Sequence, residues 1–292
     1  MTFSNQKYIA LILGGSGGIG LATAKKLAAE GMHLYIVYRD RKADARAIEQ
    51  FYSDLSAQHH IKVLTFNTDA ADKESIAEAC SQLANLKAEG YAVRLLLHSV
   101  SKGNLKPLVK QSIVERAYEN ETLEPVYRAL ETEKNKHVHS DFLLDSSDFQ
   151  LTLQNMALSL VDWVKAIHES DLFTSDARVI GLSSEGNQKA WVNYAAVSAT
   201  KAALEAIVRS IALEYASYGI RANIIQAGVT DTNSLRRIPG ADYLKAGATF
   251  RNPFGRLTKP EDVANAIYLL CRDEASWING AILKVDGGES LC

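Results

Sequence analysis

The sequence predicts an α/β fold, a single doubly wound domain in which the strands of a parallel sheet alternate with helices. Three observations predict it. Short apolar runs recur along the chain, beginning with Tyr8-Ile9-Ala10-Leu11-Ile12-Leu13, and such runs suit strands buried on both faces. Longer stretches with an apolar face at helical spacing lie between them. The first run passes directly into Gly14-Gly15-Ser16-Gly17-Gly18-Ile19-Gly20 and then into a helical pattern. The 292 residues suffice for one large α/β domain or two small ones. No repeat, low-complexity tract or linker divides them, so one domain over residues 1–292 is expected, with an inserted segment at about 104–145.

In order, residues 8–13 form the first strand and 21–30 a helix that stops at Gly31. Strand, glycine loop and helix together make a phosphate cradle. The glycines let the backbone turn tightly and approach a pyrophosphate, whose charge then lies at the helix N-terminus. Strands follow at 34–38, 61–66 and 93–97, separated by helices at 45–58 and 75–89. Within 104–145 the sequence is charged, with a short helix at 126–131. A long helix at 151–168, strands at 178–184 and 222–225, a helix opened by Pro260 and a last strand at 281–285 complete the alternation.

Composition excludes several classes. A net charge of −2 supplies no basic field for nucleic acid or an anionic membrane. No apolar run approaches the ~20 residues of a membrane span. The start, Met1-Thr2-Phe3-Ser4-Asn5-Gln6-Lys7, is not a signal peptide, so the expected location is cytoplasmic. Cys80, Cys271 and Cys292 are scattered and odd in number, as free thiols of a reducing compartment are. His137-Val138-His139 is the nearest approach to a ligand cluster and reads as solvated surface, so no metal is expected.

The chemistry concentrates in Tyr194-Ala195-Ala196-Val197-Ser198-Ala199-Thr200-Lys201, which opens a helical pattern free of Gly and Pro. Seven residues at about 100° each make nearly two turns, so Tyr194 and Lys201 share a face. There the ammonium should stabilise phenolate and lower the tyrosine pKa toward the working range. An amphipathic helix that carries one Tyr and one Lys by chance is the alternative.

The spacing Gly14-x3-Gly18-x-Gly20, with Tyr194 and Lys201, resembles the short-chain dehydrogenase/reductase family. The family usually has Thr before the first glycine, where this chain has Leu13. The resemblance implies a Rossmann-type domain and an NAD(P)H-dependent oxidoreductase. It implies that Gly14, Ser16, Gly18, Ile19 and Gly20 hold the pyrophosphate, and that Asp69 and Ala70 meet the adenine edge. Asp72 reads instead as the N-cap of the following helix. Ser99 and Val100 would line the ribose and nicotinamide side, Thr230 and Thr232 would clasp the carboxamide, and Lys201 would bind the nicotinamide ribose. At the end of the second strand Arg39-Asp40-Arg41 favours the 2′-phosphate of NADPH, while Asp40 keeps NADH open.

Narrower features resemble the enoyl-acyl-carrier-protein reductase branch. They are His98-Ser99-Val100-Ser101 in place of Asn-Asn-Ala-Gly, Ala227-Gly228 in place of Pro-Gly, and Tyr-x6-Lys in place of Tyr-x3-Lys. Val197 occupies the usual acid position and has no proton to give. Three residues displace Tyr194 by some 4.5 Å along the helix axis. That suits hydride arriving at the β-carbon of a conjugated thioester, whose developing charge lies on a more distant oxygen. Ser184 stands where many members orient the substrate carbonyl; the best-known enoyl reductases have a second Tyr there, and its lack resembles the NADPH-linked variety. The resemblance also gives Asn155 a role in holding a water or a backbone kink.

The implied function is reduction of a trans-2-enoyl thioester in fatty acid biosynthesis by an enzyme that forms homo-oligomers, usually tetramers. The segment 104–145 is either a substrate lid or a surface excursion. Residues 233–254 are expected to be a mobile substrate loop, where Arg236, Arg237, Lys245 and Arg251 either dock an acidic acyl carrier protein or are merely solvated. Two rivals stand beside this reading. One is a carbonyl reductase or alcohol dehydrogenase of the same fold, acting on 3-oxoacyl thioesters. The other is a non-catalytic nucleotide-binding interaction module, against which intact Tyr194 and Lys201 argue.

Overall fold

A computed structural model describes residues 1–110, 118, 120–135, 142–238 and 240–291. Seven strands form one parallel sheet: β1 (Tyr8–Leu13), β2 (His33–Tyr38), β3 (Val63–Asn67), β4 (Ala92–His98), β5 (Phe173–Ser184), β6 (Ile220–Ala227) and β7 (Ile282–Val285). Their order is β3-β2-β1-β4-β5-β6-β7. The direction of winding reverses between β1 and β4, and in such sheets the crevice at that point takes the ligand.

Ten α-helices are described: α1 (Gly18–Ala29), α2 (Lys42–His59), α3 (Lys73–Ala88), α4 (Glu124–Asn135), α5 (Ser146–Leu153), α6 (Ser159–Glu169), α7 (Ala195–Glu214), α8 (Asn233–Arg236), α9 (Ala241–Arg251) and α10 (Pro260–Cys271). One core layer sets α3, α6 and α7 against the sheet, and the other sets α1, α2 and α10 against the opposite face. The strands are apolar on both faces because both are covered. In β1, Leu11 and Leu13 join the first layer, while Ala10 and Ile12 join the second.

Local chemistry sets the boundaries. The Asp72 carboxylate accepts the Ser75 N–H at 2.8 Å and caps α3, as expected. Asp145 and Asp148 form a capping box that starts α5 at Ser146, earlier than the apolar periodicity alone indicates. Between α5 and α6 the helix widens into a π turn over Gln154–Leu158. There Asn155 Nδ2 donates to the Leu151 carbonyl at 2.7 Å and Ser159 Oγ to the Asn155 carbonyl at 2.8 Å, so side chains occupy part of the ladder. Residues 233–254, expected as a loop, carry α8 and α9. The short helix expected at 126–131 is present as the longer α4.

The loop after β3 is pinned from below. Trp163 on α6 is fully buried and its indole N–H donates to the Ala70 carbonyl at 2.8 Å. Trp163→Phe removes that donor and strands a buried carbonyl. A loss of about 1–3 kcal/mol is expected, read as a lowered urea midpoint with an unchanged slope.

Candidate active site

At the crevice the loop after β1 is bound to the end of β2, since Gly14 N–H and Gly15 N–H both donate to the Val37 carbonyl. Gly14 has φ +91°, and a Cβ on it would stand 2.5 Å from the Ser99 carbonyl oxygen, so only glycine fits. A Cβ on Gly20 would stand 2.2 Å from the Gly14 oxygen. Gly17 precedes α1 without a side-chain cap, and nothing lies within 4 Å of where its Cβ would be. Uncapped first-turn N–H groups with open space beside them fit a pyrophosphate. Ser16 is half-buried in this turn, and Ile19 packs toward the α1 layer.

The opposite wall of the crevice comes from the segment after β6. Thr232 packs beside Gly18, where a Cβ would lie 3.2 Å from its methyl group. The Thr232 hydroxyl accepts the Leu235 N–H and caps α8, and the Thr230 hydroxyl donates to the Gly228 carbonyl at 2.8 Å. Both threonines stand at the crevice with their hydroxyls engaged locally. Ser99 N–H donates to the Leu13 carbonyl, and Val100 packs against the α3 and α6 layer.

At the other end of the crevice Asp69 is committed. Its Oδ2 accepts from Arg39 Nη1 at 3.0 Å and from Lys102 Nζ at 2.8 Å, and its Oδ1 accepts the Ala71 N–H at 3.1 Å. Partial burial raises its pKa, but the Lys102 ammonium, the Ala71 N–H and the Arg39 charge outweigh that and hold it below the usual carboxylate range. An adenine edge would therefore compete with two cations for this carboxylate. Beyond Arg39 an open hollow of ≈ 520 Å³ is lined by Lys42, Ala43, Ala45, Arg46, Glu49 and Asn67.

Lys201 is nine-tenths buried on α7, and its Nζ donates to the Leu182 carbonyl at 2.6 Å. Burial pulls its pKa down to about 8, with Glu205 opposing. Glu205 is itself buried and accepts from Ser183 Oγ at 2.5 Å. Beneath them His98 is buried, with Nε2 2.8 Å from Ser159 Oγ. The Ser159 hydroxyl hydrogen goes to Asn155, so Nε2–H of His98 is the donor. Burial and the nearby Lys201 push His98 down to about 3, so it is neutral at pH 7. Asn155 leaves Oδ1 buried without a partner, the acceptor that a water-holding role calls for.

Tyr194 differs from expectation. It is the N-cap of α7, with φ −110°, and not a member of the helical face. Burial raises its pKa and the Ser184 hydroxyl pulls it back; the expected lowering by Lys201 is not among the causes. Ser184 Oγ is buried beside the phenol without a well-aligned hydrogen bond of its own. A Cβ on Gly186 would stand 2.6 Å from Tyr194 Cε1 and 3.4 Å from Ser184 Oγ, so this glycine makes room for both. Val197 is buried, with its methyl group beside Gly103, and belongs to the core.

Segment 233–254 also differs from a free basic loop. Arg236 and Lys245 pair with Asp231, and Arg251 bridges Glu185 at 2.9 Å and the buried Glu289 at 3.1 Å. Trp191, just before Tyr194, packs edge-on against Tyr243 of α9. The segment thus presents less free positive charge than its composition suggests. Sequence reasoning missed Lys102, Ser159, Glu205 and Gly186, and it named His98 only as part of a motif, without a role. A glycine two residues beyond Ser184 could have flagged Gly186. Cys80 and Cys271 are buried free thiols. Cys292 and His137, Val138 and His139 lie outside the described residues. Among the described residues no helix is long and apolar enough to cross a membrane.

Two family models match the chain. One, described as short chain dehydrogenase, matches residues 8–112, and one, described as Enoyl-(Acyl carrier protein) reductase, matches residues 132–290. The chain is 31% identical over 283 residues to the 3-oxoacyl-[acyl-carrier-protein] reductase FabG of Escherichia coli strain K12, covering 96% of each. It is 30% identical over 283 residues to the cis-4-hydroxycyclohexanecarboxylate dehydrogenase of Sinomonas cyclohexanicum, covering 96% of this chain and 95% of the relative. The crystal structure of enoyl-[acyl-carrier-protein] reductase (NADH) from Aquifex aeolicus VF5 superposes with a TM-score of 0.73 at 21% identity, over 100% of this chain and 99% of that one. That last likeness is one of fold.

Two outcomes follow from the site's geometry. Gly186→Ala is expected to displace the Tyr194 ring and cut turnover at least about tenfold with a small change in melting temperature, checked by steady-state rates beside thermal melts. Lys201 has a lower pKa folded than unfolded, so below pH 8 the folded protein bears the cost of a buried cation. Between pH 8 and 10.5 the unfolded chain holds the extra proton, and stability from this group rises with pH. Lys201→Met should therefore raise stability by roughly 1–2 kcal/mol at pH 7 while abolishing activity, the gain shrinking above pH 8 in urea titrations.

Proposed function

This chain belongs to the short-chain dehydrogenase/reductase family of oxidoreductases, and from that premise we propose that it uses NADPH to reduce the carbon–carbon double bond of a trans-2-enoyl thioester. The observation that carries the reading is the pair Tyr194 and Val197. The position four before Lys201 holds a core valine packed beside Gly103, while the nearby phenol sits at the N-cap, next to Ser184. The phenol thereby enters the site from ahead of the first turn of α7, and not from the helical position four before Lys201.

The glycine loop would hold NADPH, which when bound would supply the hydride. The β-carbon accepts it, the π pair moves toward the thioester oxygen, and a proton completes the α-carbon. Tyr194 hydrogen-bonds the developing enolate oxygen and is the candidate proton donor. Its raised pKa keeps the hydroxyl protonated at neutral pH, which suits a donor. Ser184, whose Oγ is buried beside the phenol without a well-aligned hydrogen bond, orients the carbonyl. Lys201 brings a positive charge into the low-dielectric strand end, where it favours negative charge on the substrate. Support for NADPH comes from Arg39 and from the hollow bordered by Lys42 and Arg46 at the start of α2.

Carbonyl reduction is the second reading, favoured by the two full-length relatives, whose names describe a 3-oxoacyl reductase and a hydroxy-acid dehydrogenase. Purified protein assayed with butenoyl and 3-oxobutanoyl thioesters separates the two. NADPH oxidation on the enoyl substrate is expected, with Tyr194→Phe lowering kcat about 100-fold and KM changing by a few-fold at most. Turnover of the 3-oxo substrate alone would overturn the proposal.

A further inference from the structure

Lys102 has no part in the family expectations set out above, and its side chain makes an unusual reach. It lies four residues beyond β4, and Asp69 lies two residues beyond β3. In the sheet these strands are separated by β1 and β2. At about 4.8 Å per strand the two strand ends are some 14 Å apart. The 2.8 Å ion pair between Lys102 and Asp69 therefore passes across the carboxyl ends of β1 and β2. Ala70 and Val100, on the loops that carry the pair, pack into the α3 and α6 layer, whereas Ile19 of the glycine loop packs into the opposite one. The pair thus spans the adenosine half of the crevice on the side facing the glycine loop.

We infer that Lys102 is a cofactor-retaining residue, whose ion pair with Asp69 straps the adenosine half of the groove. Three features support a strap. Its base is firm, because Gly103 fits so closely that a Cβ would meet Thr152 and Met156 at 2.7 and 2.9 Å. The adjacent Ser101 fastens the same loop in the other direction, its Oγ lying 2.7 Å from Ser234 Oγ of α8. The lock is weak enough to open, since Lys102 and Asp69 are 40% and 31% exposed and such pairs contribute little net energy. Arg39 is the second cation on Asp69 and the more exposed, at 59%. A 2′-phosphate can draw Arg39 away while Lys102 keeps the strap closed.

The inference rests on the dinucleotide reading of the crevice but not on which substrate is reduced. Stopped-flow displacement of bound NADPH and NADH tests it, using wild type, Lys102→Met and Arg39→Met at low and high salt, with melting curves as a fold check. Lys102→Met should raise the dissociation rate of both nucleotides about three- to fivefold at low salt, and the gap should close at high salt as the wild-type pair is screened. Arg39→Met should weaken NADPH alone. Off-rates within twofold of wild type for both nucleotides in Lys102→Met would overturn the strap, as would a Lys102→Met effect confined to NADPH, which would make Lys102 a phosphate ligand. An unchanged NADPH affinity in Arg39→Met would remove the NADPH preference and leave the strap standing. Failure of wild type to bind either nucleotide would remove the dinucleotide reading and the strap with it.

Discussion

The buried ammonium of Lys201 is the constraint on which the strand ends depend. Placing a cation in a nine-tenths buried position is costly, and the surroundings are arranged to bear it. The Leu182 carbonyl accepts a hydrogen bond from it, Glu205 supplies a nearby negative charge, and His98 is kept neutral so that no second cation competes. His98 in turn is oriented through Ser159 to the Asn155 carbonyl, at the π turn. A widened helical turn, a strand-end histidine and a helix lysine are thus parts of one arrangement. Its product is a fixed charge at the carboxyl end of β5, where Ser184 and Tyr194 meet.

The same economy governs the crevice walls. The loop after β4 touches several walls of the crevice: Ser99 meets the glycine loop, Ser101 meets α8, Lys102 meets Asp69 and Gly103 rests on α5 and the π turn. On the far side Arg251 joins Glu185 and Glu289, so α9 is anchored to the end of β5 and to the C-terminal segment. Burial raises the pKa of Glu289, yet its Oε2 accepts the Val229 N–H beside the segment that faces the cradle. The two ends of the crevice are thus joined through short polar contacts.

Much of this was legible in the sequence, because the signals were periodic or positional. All seven strands and most of the helices between them follow from apolar runs and spacing, since a sheet covered on both faces needs apolar residues throughout, whereas α8 and α9 lie where a loop was expected. The cradle was legible because positive φ and close backbone approach demand glycine at Gly14 and Gly18. What escaped depends on contacts between residues distant in sequence. The tie from Lys102 to Asp69, the Arg251 bridge and the neutral state of His98 all require the strand order before they can be seen. Spacing alone put Tyr194 on the helical face and under the influence of Lys201. The chain instead enters α7 one residue later, and burial dominates the phenol.

Geometry at Tyr194 and Val197 bears finally on where hydrogen is delivered, and isotope tracing reads that directly. The most direct measurement supplies NADPH deuterated at the transferable position with an equimolar mixture of enoyl and 3-oxoacyl thioesters in ordinary water, followed by NMR of the products. A saturated acyl chain with deuterium on the β-carbon and a solvent-derived hydrogen on the α-carbon is the predicted result. Deuterium found only on a carbinol carbon, with the double bond intact, would contradict it.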